Sequence, residues 1–155
     1  MKQLPCALAA LCFANALILP AATRIDDPKA FVTEVYRRLM APTAADTMYV
    51  PPDDIYSPRL EKLIRDDRRK AKGEVGCVDF LFWVNGQDYE ITKLTITSVD
   101  QGQDAKTVIA KFLSFKDPEE IHFDFRRIGG RWLLDDAHSV TNQKWTLSDL
   151  YKCTY

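Results

Sequence analysis

The stretch IHFDFRRIGGRWLLDDAH, residues 121–138, alternates apolar and polar side chains on either side of Gly129-Gly130. A period of two marks a strand with one buried face, and adjacent glycines between two such runs mark a two-residue hairpin turn. With that turn, Ile128 faces Arg131. Pairing then continues through Arg127/Trp132, Arg126/Leu133, Phe125/Leu134, Asp124/Asp135, Phe123/Asp136 and His122/Ala137 to Ile121/His138. This register predicts an inner face of Ile121, Phe123, Phe125, Trp132 and Leu134 that also carries Asp136 and His138. The opposite face then holds His122, Asp124, Arg126 and Asp135 and is solvated.

Working outward, Ala105–Phe115 and Tyr89–Val99 are β-rich, with turn signals at Gln101-Gly102 and Asp117-Pro118. The apolar, aromatic run Cys77–Val84 precedes Asn85-Gly86, a strong hairpin signal. Before it, residues 58–72 pattern as a helix anchored by Leu60, Leu63 and Ile64. An earlier helix opens at Asp27-Pro28, where aspartate caps free N–H groups and proline needs none. It shows Phe31, Val35 and Leu39, flanked by Val32, Tyr36 and Met40, and Pro42 stops it. Near the other end, Thr146-x-x-Asp149 is a weak capping box before Leu147, Leu150 and Tyr151. Two helices followed by consecutive antiparallel strands give an α+β layer architecture, in a single domain over residues 23–155.

The 155 residues carry a formal charge of -1, with 46% hydrophobic and 11% aromatic content, which excludes a disordered tail or a heptad rod. A near-zero charge argues against a nucleic-acid binder, which needs a basic excess. The helix over 58–72 concentrates Arg59, Lys62, Arg65, Arg68, Arg69, Lys70 and Lys72. It is either a contact patch for an anionic partner or membrane surface, or a solvated exterior with cations near its C-terminal end.

Residues 1–22, MKQLPCALAALCFANALILPAA, have the form of a cleaved secretory signal, against the alternative of an uncleaved anchor: Lys2, an apolar run to about Leu19, then small residues. Cleavage after Ala16 or after Ala22 fits, and a lipid anchor at Cys6 or Cys12 does not, because each follows a large or cyclic residue. The run is short for a membrane span, so no stable span is expected after cleavage. Removing Lys2 leaves 20 Lys+Arg against 22 Asp+Glu, a mature charge of -2. A periplasmic or secreted location makes Cys77 and Cys153 a disulfide candidate, against the alternative of two unrelated thiols.

Candidate site residues follow from the hairpin and the turn. Asp136 and His138, two apart on an apolar face, are where a pocket places its few polar groups, and together they suit general acid–base chemistry. The alternative makes Asp136 a cap for neighbouring backbone, with His138 at the sheet margin. Trp132 is core first. Gln87 and Asp88 are either turn residues or, with Trp83, the mouth of a cavity. His122 and His138 on opposite faces cannot easily share a metal, so neither a metal site nor a cofactor is expected. No phosphate loop, zinc-protease motif or serine elbow is present.

The signal segment, the two helices, Val78-Asp79-Phe80…Asn85-Gly86-Gln87-Asp88 and the closing Gly130-Arg131-Trp132-x-Leu134-x-Asp136 resemble the DUF3828 family of small exported bacterial proteins. The likeness spans roughly residues 27–152. It implies an NTF2-like, cystatin-like cone in which a curved sheet wraps a helix. Family members usually carry a proline soon after the position of Asp79, where this chain has Leu81 and Phe82, so residues 78–91 are either a hairpin or a loop. The resemblance implies no reaction. The function expected is an exported binding or interaction module for a small ligand or an envelope protein. The alternatives are a small-molecule enzyme using Asp136 with His138, and a homodimer formed through an apolar sheet face.

Overall fold

The computed structural model describes residues 23–41 and 49–154; the signal segment expected over residues 1–22 and the helix stop expected at Pro42 lie outside the described residues. The architecture is α+β, with three α-helices and a five-stranded antiparallel sheet. Helix α1 spans Pro28–Leu39, a 3-10 turn covers Asp53–Ile55, and α2 spans Pro58–Ala71. Strands β1 (Ile91–Asp100), β2 (Ala105–Ser114), β3 (Asp117–Ile128), β4 (Arg131–Ser139) and β5 (Trp145–Thr146) follow in order as a meander, and α3 (Leu147–Leu150) closes the fold. Among the described residues, no helix is long and apolar enough to cross a membrane.

Both long helices start at a capping side chain, the one at Asp27 as expected and the one at Ser57 seen in the structure. Asp27 accepts from the Lys29 N–H at 3.1 Å, and Ser57 accepts from the Leu60 N–H at 3.2 Å. Each cap satisfies a donor that the first helical turn leaves free. Helix α1 packs across β1 and β2 and buries Val32, Val35, Tyr36 and Leu39, whereas Met40 is exposed. Helix α2 lies by β4 and buries Leu60 and Ile64.

The core is aromatic. Trp83 stacks on Phe123 with ring centroids 4.5 Å apart, Tyr36 meets Phe112 at 5.5 Å, and Phe31 meets Phe125 edge-on at 6.3 Å. Phe82, Trp83 and Val84 are buried in succession, which a strand with one solvated face cannot achieve. Residues 81–86 therefore form a tight turn with a single bridge, Leu81 to Gly86, in place of a hairpin arm. Asn85 takes φ 57° there and links outward: it donates to Glu119 at 3.0 Å and accepts from the Trp145 indole at 2.6 Å.

Two local expectations change. The turn between β2 and β3 is Phe115-Lys116, flanked by the pair Ser114/Asp117, so Asp117-Pro118 already belongs to the strand. The hairpin of β3 and β4 keeps the predicted register only from Phe125/Leu134 to Ile128/Arg131. Beyond it, Asp124 pairs with Asp136, Phe123 with Ala137 and His122 with His138, because Asp135 is an extra residue in a β-bulge. A shift of one residue exchanges the two faces of a strand. Asp136 and His138 consequently leave the apolar face on which the unbulged register put them, and Ala137 takes the inner position beside Phe123.

A disulfide joins Cys77 to Cys153, which lie 76 residues apart. The amide of Cys77 also donates to the Asp67 carboxylate at 3.1 Å, fastening the end of α2 to the same point.

Candidate functional site

The structure does not gather the six predicted pocket residues into one place. Trp83 is fully buried in the core, and its indole N–H has no partner among the described residues. Trp132 is buried at the far end of the inner face, with the Arg127 guanidinium 5.0 Å and the Lys106 ammonium 6.0 Å from its ring centre. Gln87 and Asp88 are exposed; the Gln87 amide donates to the Asp79 carbonyl at 3.1 Å, as a turn residue does.

Asp136 serves α3. Its Oδ1 accepts from the Ala137 and Ser148 amides at 2.9 and 3.0 Å, and its Oδ2 lies 3.2 Å from Arg59. Thr146 occupies the cap position of α3 without a side-chain hydrogen bond, so a carboxylate from β4 satisfies the helix instead. Asp135, the bulge residue, faces Arg59 and Arg126, each at 3.4 Å.

His138 joins a polar row on the outer face of the sheet. Its ring lies across from His122 with centroids 4.8 Å apart, and its Nδ1 is 3.4 Å from Asp124. The Asp124 carboxylate accepts from the Thr107 hydroxyl at 2.6 Å. On the other side, His122 Nε2 is 2.7 Å from Glu120, which in turn holds Lys111 at 2.9 Å. The row Lys111–Glu120–His122–His138–Asp124–Thr107 thus crosses β2, β3 and β4. Each imidazole is mostly covered, with side-chain exposures of 21% for His122 and 31% for His138.

Charge is balanced locally along this row. Hydrogen bonding to His122, then to Lys111, holds the Glu120 carboxyl below its ordinary range despite desolvation. Burial works to raise Asp135, but the Ser57 hydroxyl and the Arg59 and Arg126 charges outweigh it and hold the group low. Two concavities flank the row. One, of about 250 Å³, is walled by Arg59, Lys106, Arg126, Asp124, Asp135 and Asp136. The other, an open groove of about 480 Å³, runs from His138 past Lys144, Trp145 and Asp149.

Of the groups able to ligate a metal, Asp67, Cys77 and Cys153 cluster together, but both sulfurs are spent in the disulfide and offer no thiolate. The imidazoles of His122 and His138 are the remaining nitrogen donors. Sequence periodicity missed their pairing because it assumed an unbroken ladder. The interrupting doublets Leu133-Leu134 and Asp135-Asp136 were the visible signal of a bulge.

The basic face of α2 is largely neutralised. Lys62 and Arg69 hold Asp66, Arg65 holds Glu61, Arg68 holds Asp53, and Arg59 reaches the bulge aspartates. That favours a solvated helix exterior over an anion-binding patch.

No protein-family model, curated protein or solved structure matches the chain.

Proposed function

We propose that the chain is an exported binding module of NTF2-like cone type that contacts an envelope protein through the outer face of its sheet. The observation that carries this reading is the filled interior. Tyr36, Trp83, Phe112, Phe123 and Phe125 pack against one another between helix and sheet, and the concavities that remain open lie at the surface. A small-molecule site usually needs a preformed concave pocket lined by apolar groups. Here recognition falls to the polar row and its two flanking concavities.

Export is supported by Lys2 with the apolar run behind it, and by a disulfide of the kind that persists in oxidising compartments. The enzyme reading has less support. Both Asp136 oxygens are engaged by backbone amides and Arg59, and His138 meets Asp124 instead of Asp136.

Site-specific photo-crosslinking in the native compartment tests the reading. A benzophenone side chain placed at Lys111 or Arg126, on the outer face, should give one adduct of defined mass. The same probe at Lys70 or Glu90 should give none. Equal labelling at all four positions, or none at any, overturns it. Intact-mass measurement of the mature protein checks cleavage after Ala16 or Ala22.

A further inference from the structure

We propose that His122 and His138 form a binding site for a divalent transition-metal ion of the zinc, copper and nickel class. The site goes beyond the partner contact proposed above and does not depend on it.

Antiparallel pairing places the two residues directly opposite each other on β3 and β4. Directly opposed side chains on one face have their Cβ atoms roughly 5 Å apart, so the rings are neighbours by backbone geometry alone. The observed centroid separation is 4.8 Å. A zinc ion bound about 2.0–2.1 Å from one nitrogen of each ring, at a tetrahedral angle, places the ring centres about 5 Å apart. The two ring centres therefore already stand at the separation that one shared ion requires.

Each ring also has a carboxylate beside one of its nitrogens, hydrogen-bonded at His122 and 3.4 Å away at His138. A metal-binding histidine keeps one nitrogen on a carboxylate, which fixes the ring and raises its basicity, and turns the other to the ion. His122 places Nε2 on Glu120 and leaves Nδ1 without a hydrogen-bond partner among the described residues. His138 places Nδ1 near Asp124 and leaves Nε2 likewise. Both carboxylates are themselves anchored, Glu120 by Lys111 and Asp124 by Thr107. Imidazole donors select the borderline ions over magnesium or calcium, which prefer oxygen. Two protein ligands leave coordination positions for water or for a group supplied by a bound molecule.

Isothermal titration of Zn(II) into untagged, metal-free mature protein tests the site. Wild type should bind one equivalent. His122→Asn and His138→Asn should each weaken binding by at least tenfold, and the double variant should abolish it. Glu120→Ala, which removes only the supporting carboxylate, should weaken binding by roughly 10–100-fold. Circular dichroism of each variant in the absence of metal confirms that the sheet is intact. No saturable binding by wild type, or unchanged binding by the folded double variant, overturns the proposal. The crosslinking pattern described above is read without added metal, so failure of one proposal leaves the other standing.

Discussion

The Tyr36 hydroxyl donates a 2.6 Å hydrogen bond to the carbonyl oxygen of Trp83, joining α1 to a turn 47 residues further along the chain. Both partners are fully buried. Burial also pushes the Tyr36 hydroxyl well above its ordinary pKa, so it remains a donor throughout the accessible pH range.

Removing that hydroxyl leaves a buried carbonyl unpaired. Tyr36→Phe keeps the ring contacts with Phe112 and Phe123 and should cost about 1–3 kcal/mol. Urea denaturation checks this, and an unchanged midpoint would show that the carbonyl finds another donor.

The turn at Phe115-Lys116 places both residues at positive φ, 49° and 83°. Such a turn suits Asn-Gly, whereas side chains branching to a large ring or a long stem strain it. Phe115 is 55% exposed, so little packing is lost on replacement. The double substitution Phe115→Asn, Lys116→Gly should stabilise the protein by about 1–2 kcal/mol. A lower thermal midpoint would mean that the exposed ring contributes packing elsewhere.

Asp136 caps α3 from a neighbouring strand. Asp136→Ala should cost about 1–2 kcal/mol and release the Ser148 amide to solvent. Hydrogen exchange at Ser148 should accelerate more than at amides in the centre of β3. Protection unchanged at Ser148 would show that another acceptor replaces the carboxylate.

Asp135 titrates below its ordinary range in the folded state. A group with a lowered native pKa contributes stability above its unfolded value, roughly 4, and that contribution is lost as pH falls through the native value. Wild type should therefore lose more stability than Asp135→Asn between neutral pH and about pH 3, when each is compared with itself. Parallel pH profiles for the two proteins would remove Asp135 from the acid transition.

Much of the fold was legible in the sequence because local rules agreed with tertiary demands. Asp27-Pro28 and Ser57-Pro58 each carry a cap and a proline in the positions a helix start requires, and both helices begin there. Gly129-Gly130 supplied the turn conformation directly, with φ of 58° and 78°. The segment 81–86 was harder. Its β-rich composition reflects complete burial of Phe82, Trp83 and Val84, and burial imposes no period.

The outer-face cluster was legible in its residues but not in its arrangement. A bulge is a tertiary solution: Asp135 leaves the ladder, and its backbone carbonyl and carboxylate both meet Arg59 from α2. Nothing within residues 121–138 identifies that arginine as the partner. One inserted residue then decides whether two histidines face each other or face apart.

The Cys77–Cys153 bond gives the polypeptide the topology of a ring with a tail. All five strands and α3 lie within the ring, whereas α1 and α2 lie in the tail. A protease cut in the exposed turn Gln101–Asp104 opens the ring yet leaves one covalent molecule. A cut in the exposed segment Lys72–Val75 separates both long helices from the sheet, held thereafter by non-covalent contacts alone. The seam between these two parts is the one that Tyr36 and Trp83 span.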